Sequence, residues 1–281
     1  MTLRQSSGQA TAKAAPSSPP TPKIVREPEV YLISRQTVVN DELNRFLANE
    51  GYTWDFSASE PWSPELIVES AGRLCYLSFG TGRSTLSEYI ANILASRHGS
   101  VLEHAVWGFI FTGISRSLTH ELVRHRAGMA YSQLSQRYVD EGKAKFVMPP
   151  AVQGHPEEEE RWAQEVAEDL ANYIERVERM MAWPDFQEIK NRTERRKMVR
   201  EAARSNLPNA TETMIFATGN ARAWRNIIEL RVSSHAESEI RRLQYKVAQV
   251  LVQEAPHIFG DYEFVQLADG TYEARTENVK V

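Results

Sequence analysis

Two apolar runs constrain the fold of this chain more than any other feature. HAVWGFIFTGIS occupies residues 104–115 and TETMIFATG occupies residues 211–219. Both are dense in aromatic and β-branched side chains, which favours buried strands. Each is followed at once by a polar, arginine-bearing helix start, SLTHELVRHR after the first and NARAWRNIIELR after the second. The pattern predicts a sheet with arginine clusters near strand ends, where anions are often bound.

Helical patterns surround these strands. A helix is predicted over residues 41–50, ending at Gly51, and Ser63-Pro64 opens another. Thr85 to Glu88 has the form of a capping box, and its helix is predicted to end near residues 98–99. The longest helix covers residues 156–183. Its apolar stripe consists of Trp162, Val166, Leu170, Tyr173, Val177 and Met181. The remaining predicted elements are a strand over residues 29–39 and a helix over residues 236–256. We therefore expect an α+β fold with a central, mostly antiparallel sheet flanked by helices.

The first 26 residues differ in composition from the rest. They are rich in Ser, Ala, Thr and Pro and contain no acidic side chain. Such a segment buries too little apolar surface to offset the entropy of ordering it. We expect a disordered tail over residues 1–26, followed by a single domain over residues 27–281.

Charge and cysteine content exclude several classes of protein. The net charge is −4 with one cysteine, Cys75. A nucleic-acid partner is therefore not expected, because such proteins usually carry a basic surface. One cysteine cannot form an intramolecular disulfide or a multi-cysteine zinc site, and its apolar surroundings predict a buried structural thiol. No apolar run reaches the length of a membrane span and no signal segment is visible, so we expect a cytoplasmic protein without membrane contact.

Familiar catalytic motifs do not account for the polar residues. HELVRH resembles a zinc-protease motif, but His120 and His125 are five residues apart, about 140° around a helix, so no metal is expected. Ser135 lacks a nucleophile-elbow sequence and an adjacent base, which favours a ligand-binding hydroxyl over an acylated one. There is no P-loop and no glycine-rich dinucleotide motif.

The remaining signal is a set of arginines in or beside apolar segments. They are Arg124, Arg126, Arg137, Arg204, Arg222 and Arg231. One explanation is an ion-pair network with Glu103, Glu121, Glu229 and Glu239. For a single arginine, an ion pair is a simpler explanation than anion binding. Six of them interleaved with Ser135, Asn220 and Asn226 favour anion binding, since guanidinium groups match phosphate oxygens bidentately.

Four separated blocks carry a resemblance to a known family. They are HGSVLEHAVWGFIFTGISRSLTHELVRHR, YSQLSQRYV, REAARSNLPNATET and TGNARAWRNIIELRVSSHAESEIRRL, in that order. In these blocks the chain resembles the flavin-dependent thymidylate synthases from about Glu29 onward. One departure is visible: eight residues separate Arg126 from Ser135, whereas the family pattern has seven. We expect the extra residue to bulge the loop at residues 127–130.

The resemblance implies a fold like that of the thymidylate synthase-complementing proteins, and an activity. The implied reaction is the methylation of dUMP at C5 to give dTMP. Methylenetetrahydrofolate would give the carbon, and FAD reduced by NADPH would give the hydride. The resemblance also implies a homotetramer with active sites at subunit interfaces. No cysteine nucleophile is used in this family, and Arg231 would be catalytic, stabilising the uracil ring as its N3 anion.

The resemblance also assigns binding residues. Those expected to bind dUMP are Glu121, Leu122, Val123, Arg124, Gln133, Leu134, Ser135, Gln136, Arg137, Arg204 and Arg231. Those expected to bind FAD are His98, Ser100, Glu103, Arg124, His125, Arg126, Gln133, Asn220, Arg222, Asn226 and His235.

Two other functions stay open at this point. A flavin- and folate-dependent uracil methylase acting on RNA would use similar chemistry, but it would need a basic surface for the polymer. A nucleotide-binding regulatory protein would bind dUMP and FAD without turnover, if the inserted loop residue had removed catalysis.

Overall fold

The structure is a computed structural model that describes residues 21–281. Its strands are β1 (Lys23–Val25), β2 (Glu29–Arg35), β3 (Val106–Ser115), β4 (Met129–Gln133), β5 (Lys145–Val147), β6 (Glu212–Asn220), β7 (Glu263–Gln266) and β8 (Tyr272–Arg275). Its helices are α1 (Asn40–Glu50), α2 (Ser63–Tyr76), α3 (Leu86–Ala95), α4 (Arg116–Leu122), α5 (Pro156–Met181), α6 (Pro184–Gln187), α7 (Arg192–Ala203), α8 (Ala221–Arg231), α9 (Ser238–Glu254) and α10 (Pro256–Phe259).

The central sheet is antiparallel throughout. Its strand order is β2-β3-β6-β4, and the two predicted apolar runs form the inner strands β3 and β6. Trp107 lies opposite Gly219 and Phe109 opposite Ala217. The predicted α+β class with an antiparallel central sheet is confirmed.

Helices cover one face of this sheet. Trp107, Phe109 and Phe111 of β3 are fully buried and belong to the largest apolar cluster, together with residues of α3, α8, α9 and α10. The Trp224 ring of α8 meets the Phe109 ring edge-on at 5.3 Å. Burial of these large aromatic side chains fixes α8 against β3 and β6. Tyr31 and Met214 are exposed at the sheet surface.

Several predicted helix ends are confirmed. Gly51 follows α1 with φ 75, a left-handed conformation that glycine adopts without strain. Thr85 caps α3 by accepting a hydrogen bond from the Glu88 backbone N–H. Pro156 begins α5, and three glutamates in its first turn favour the positive end of the helix dipole.

Other predicted boundaries were wrong. The strand from residue 29 ends at Arg35 instead of Val39, and the helix capped by Thr85 ends at Ala95 instead of near residues 98–99. The helix that follows β3, for which no end was predicted, ends at Leu122. The chain leaves this helix there because it must reverse direction to enter β4, which pairs antiparallel with β6. Neither β4 nor α7 was predicted.

The start of the ordered chain also needs a correction. Residues 1–20 of the expected tail lie outside the described residues. Residues 23–25, however, form β1 and pair in parallel with β5. Ile24 packs on a second apolar cluster that contains Phe146 and Val166. This apolar contact offsets the entropy of ordering a short segment that composition alone had assigned to the tail.

Cys75 was expected to be buried, and it is exposed. In the last two turns of α2, Glu69, Gly72 and Arg73 take the inward positions. The chain then turns at Leu77, which has φ 48. Leu74 and Tyr76 are also exposed, so an apolar sequence here does not mark a core segment. In the described part of the chain, no helix is both long and apolar enough to cross a membrane.

Candidate functional site

Two strand-to-helix turns begin α4 and α8, and about half of the predicted site residues lie on or directly after these helices. Ser115 ends β3 and caps α4, and its hydroxyl accepts a hydrogen bond from Leu118 N at 3.0 Å. Asn220 ends β6 and caps α8, and its Oδ1 accepts from Ala223 N at 2.9 Å. Because β3 and β6 are antiparallel, α4 and α8 begin at opposite ends of the sheet. The far end of α8 therefore returns toward α4.

A cavity of about 440 Å³ lies at the start of α4. Its lining residues are Arg116, Gln136, Glu201, Arg204, Ser205, Leu207, Pro208 and Asn209. We call it the arginine cavity. Gln136 and Arg204 are predicted site residues, whereas Arg116 was not singled out from the sequence.

Two donors in the arginine cavity are buried without a partner. Within residues 21–281, neither Nη1 of Arg116 nor Nε2 of Gln136 has a hydrogen-bond acceptor. Burial lowers the pKa of Arg116, and the nearby Arg204 charge lowers it further, against the opposite effect of Glu141. Buried donors are normally satisfied, so this arrangement suits an anionic ligand that would accept from both.

Arg137 and Ser135 lie beside this cavity on the segment after β4. The Arg137 Nε atom is 2.7 Å from a carboxylate oxygen of Glu201, and the two side chains are 39% and 50% exposed. The Ser135 hydroxyl accepts from the Arg137 backbone N–H at 3.4 Å. Arg137 can therefore exchange its carboxylate partner for a ligand at little cost.

A second group of residues joins the far ends of α4 and α8. Arg231, the last residue of α8, donates from Nη1 to Glu121 Oε2 at 2.5 Å and from Nε to His125 Nε2 at 3.0 Å. Glu237 contacts Glu121 from the start of α9. We call Glu121, His125, Arg231 and Glu237 the Arg231 cluster.

The protonation states in the Arg231 cluster follow from these contacts. Burial lowers the pKa of His125 and the Arg231 charge lowers it further, so the imidazole is neutral and Nε2 can accept. Burial and the hydrogen bond to Glu121 raise the pKa of Glu237 to about 7. Glu237 therefore titrates near neutral pH, and its protonated form can donate to the Glu121 carboxylate. Tyr131 of β4 donates to the His125 carbonyl oxygen at 3.1 Å and holds this segment in place.

The third feature is a cavity of about 420 Å³ at the start of α8. It is lined by Glu103, Ala127, Gly128, Asn220, Arg222, Ala223, Asn226, Glu229, Lys280 and Val281. We call it the helix-start cavity. It brings together four predicted FAD-binding residues, Glu103, Asn220, Arg222 and Asn226. Arg222 donates to Glu103 at 2.7 Å, and both side chains are about half exposed.

Two residues of the loop expected to hold the extra residue, Ala127 and Gly128, lie in the wall of the helix-start cavity. A turn joins Arg126 to Met129, with Gly128 at φ 70, and β4 then pairs with β6 without a register shift. The Gly128 carbonyl accepts from Asn220 N at 3.1 Å. A Cβ at Gly128 would lie 2.6 Å from Asn220 Nδ2, so the close approach and the positive φ both require glycine. The extra residue therefore leaves the strand that follows it in regular register.

The other predicted site residues lie outside the two cavity linings. His98, Ser100, Arg124, Arg126 and His235 are exposed. Val123 and Leu134 are partly buried. The Leu122 side chain is fully buried in the core, so only its backbone is available to a ligand. Gln133 donates to Thr119 Oγ1 at 3.0 Å. Across residues 21–281, no group of three His, Cys, Asp or Glu side chains is placed to hold a metal ion.

Sequence reasoning assigned no binding role to many residues that line these sites. Among them are Arg116, Glu201, Glu229, Glu237, Lys280 and Val281. Arg116 had a detectable signal, since it directly follows a predicted strand. Lys280 and Val281 had none, because only the tertiary fold brings the chain end to the start of α8.

Comparisons with known proteins give a consistent result. The sequence model of the family described as thymidylate synthase complementing protein matches residues 59–257. A flavin-dependent thymidylate synthase of Mycolicibacterium vanbaalenii is 47% identical over 227 residues, which is 77% of this chain and 90% of that protein. One from Mycobacterium avium is 46% identical over 219 residues, 75% of this chain and 86% of that protein.

A solved structure shares the fold. It is a UMP/dUMP methylase, PolB, from Streptomyces cacaoi, bound with 5-Br UMP. The TM-score is 0.60 at 20% sequence identity, with 86% of this chain and 96% of that chain covered. At this identity the likeness concerns the fold alone.

Proposed function

This chain belongs to the thymidylate synthase complementing protein family, and we propose that it is a flavin-dependent thymidylate synthase that converts dUMP to dTMP. The observation that carries the proposal is the pair of unpartnered donors of Arg116 and Gln136 beside Arg204, at one end of α4, with Arg231 at the other end. This arrangement offers a phosphate site and a second cation within the reach of one nucleotide.

The overall reaction is a reductive methylation. Methylenetetrahydrofolate supplies a carbon at the oxidation level of formaldehyde, and NADPH supplies two electrons, so that a methyl group replaces the C5 hydrogen of dUMP. Tetrahydrofolate and NADP⁺ are the other products. FAD, when bound and reduced, supplies the hydride.

We place dUMP along α4. Its phosphate accepts from Arg116, Gln136 and Arg204 in the arginine cavity, with Arg137 and Ser135 at the side. About five residues separate Arg116 from Glu121, roughly 7 Å along a helix axis. The uracil ring then lies beside the Arg231 cluster.

Arg231 activates the ring in this proposal. Its guanidinium is held between Glu121 and His125 and is partly shielded from water, so its charge is more effective than in bulk solvent. By stabilising the N3 anion it raises electron density at C5, and no enzyme nucleophile is needed. When Glu237 is protonated, Glu121 can release Arg231 without leaving two adjacent carboxylate charges.

We place the flavin along α8, with the helix-start cavity as its polar end. The donors there suit a flavin nucleotide: the Arg222 guanidinium, the Asn226 amide and the first turn of an 11-residue helix whose dipole favours phosphate. Because α8 runs from this cavity to Arg231, a ligand along it would meet dUMP at the Arg231 cluster.

A homotetramer completes the site in this proposal. His98, Arg124, Arg126 and His235 are exposed and lie outside both cavity linings, which supports a site shared between copies of the chain. Light scattering is expected to give a mass of about 128 kDa, four times the 32.0 kDa chain. A stable monomer that forms dTMP would contradict the shared site.

Two experiments test the activity itself. The purified protein is expected to show the absorption spectrum of a bound flavin. With dUMP, methylenetetrahydrofolate and NADPH under anaerobic conditions, it is expected to form dTMP, measured by mass spectrometry, with an assay lacking dUMP as the control. A flavoprotein that binds dUMP without product would support the regulatory alternative. A protein that takes up no FAD would refute the proposal. The named relatives favour neither the regulatory nor the RNA-directed alternative.

A further inference from the structure

The end of the described chain reaches into the helix-start cavity. The family match stops at residue 257, so it assigns no role to the segment that follows. Lys280 and Val281 nevertheless line this cavity beside Asn220, Arg222 and Asn226. We call residues 276–281 the terminal segment.

A buried ion pair anchors the terminal segment. Arg225, fully buried on α8, pairs with Asp261 at 2.7 Å and donates to the Asn278 carbonyl at 3.1 Å. Asp261 in turn accepts from the Thr276 hydroxyl at 2.6 Å and from the Asn278 amide at 2.9 Å. A hydrogen-bonded pair of this kind fixes geometry, because either charge left alone in the interior would be costly.

The last two residues are held separately. Lys280 has φ 59 and its backbone N–H donates to the Glu229 carboxylate at 3.1 Å. Val281 is buried in the main apolar cluster. A Cβ at Gly99 would lie 2.6 Å from the Val281 carbonyl carbon and 3.0 Å from Arg222 Nε. The terminal segment therefore packs directly against the turn at residues 98–100 and against Arg222, as a fixed wall.

Lys280 changes the charge of this cavity. Among its lining residues, the cations are Arg222 and Lys280 and the acids are Glu103 and Glu229. Arg222 is paired with Glu103, and burial raises the pKa of Glu229. The Lys280 side chain is exposed and makes no ion pair within 4.0 Å among residues 21–281, although its charge is close enough to Glu229 to oppose the rise in the pKa of that carboxyl. It is the cation that an anionic ligand could engage without first breaking a salt bridge.

From these contacts we propose that the terminal segment is a permanent wall of the flavin site and that Lys280 binds the anionic part of the cofactor. This inference rests on the proposed function, because it takes the helix-start cavity to be the flavin site. Lys280 is then a cofactor-binding residue that lies beyond the family match.

The test is a titration of the apoprotein with FAD, following the quenching of flavin fluorescence. Lys280→Gly removes the ammonium group and relieves the positive φ, so folding is preserved. We expect its dissociation constant for FAD to rise about threefold, and that of Lys280→Glu about tenfold, both losses shrinking at high salt. Lys190→Glu is the matched control, an exposed lysine outside both cavity linings, with an unchanged constant expected.

Each outcome of the FAD titration either supports or contradicts the proposed role of Lys280. If wild type binds FAD and both Lys280 variants, folded by circular dichroism, bind it equally well, this inference is wrong while the proposed function stands. A loss shared by Lys190→Glu, or one that salt does not reduce, also overturns it. If wild type takes up no FAD, the proposed function fails and the inference with it.

Discussion

The arginine cavity and the helix-start cavity are similar in size and differ in how their donors are used. In the arginine cavity, Arg116 Nη1 and Gln136 Nε2 are buried and unpartnered. In the helix-start cavity, Arg222 is paired with Glu103, and Asn220 caps its own helix. The first cavity holds two buried donors without an acceptor, whereas in the second the Arg222 guanidinium already has a carboxylate partner.

This difference predicts unequal sensitivity to mutation. A buried, unpartnered donor gains a full hydrogen bond on binding, so its removal costs the whole interaction. An exposed donor that must first leave a carboxylate gains only the difference between two partners. Ligand affinity should therefore depend on single residues in the arginine cavity and be spread over many residues in the helix-start cavity.

The largest effect is expected outside both cavities, at Arg231. In the proposal the two cavities bind dUMP and FAD, and the Arg231 cluster activates the uracil ring. Arg231→Ala should then lower kcat roughly 10²- to 10³-fold, the range seen when one electrostatic stabiliser is removed. The dissociation constant of dUMP should rise less than tenfold, because the stabilisation grows along the reaction. Single-turnover rates and dUMP titrations measure the two effects. Equal losses would contradict an activating role.

Arg116→Ala tests the arginine cavity next. Loss of a charged, buried donor should raise the dissociation constant of dUMP roughly 10- to 100-fold, with FAD affinity unchanged. Arg116→Lys should be intermediate, since it keeps the charge and loses the guanidinium fork. Arg161→Ala, on the exposed face of α5, is the matched control. A dUMP affinity that survives Arg116→Ala would mean that the phosphate lies elsewhere.

Arg222→Ala should have a smaller effect. It breaks an exposed pair with Glu103, so FAD affinity should fall only about threefold and dUMP affinity should not change. In wild type, Arg222 only exchanges the Glu103 carboxylate for the cofactor, so this pair contributes little to FAD affinity. The double variant Glu103→Ala with Arg222→Ala should therefore bind FAD about as well as Arg222→Ala alone. A loss as large as that of Arg116→Ala would remove the distinction between the two cavities.

The local sequence brings the residues of the helix-start cavity together more directly than those of the arginine cavity. Arg222 and Asn226 are four residues apart on one face of α8, and Asn220 caps the same helix. The arginine cavity joins the start of α4 to the segment after α7, across β6, and no local pattern encodes that meeting. Arg116 was missed for this reason, although the strand before it was predicted.

Local sequence patterns also gave wrong or incomplete predictions where tertiary contacts determine the structure. The three residues of β1 form a strand because they pair with β5 and because Ile24 packs on the second apolar cluster, which contains Phe146 and Val166. An extra residue was expected at 127–130, where the structure has a turn over residues 126–129 that leads into a regularly paired β4. The position of this turn in the cavity wall could not be read from the spacing of Arg126 and Ser135, because that position depends on where Asn220 lies.

The smallest effect is expected for the only cysteine. Cys75 is exposed at the end of α2 and lines neither cavity. Cys75→Ala removes no buried contact, so kcat and both ligand affinities should stay within about twofold of wild type, as for most surface substitutions. Steady-state kinetics with thermal unfolding as a folding control measures this. An abolished rate in a folded variant would restore a thiol mechanism and deprive Arg231 of its role, since a nucleophile and an activating cation are alternative ways to raise electron density at C5.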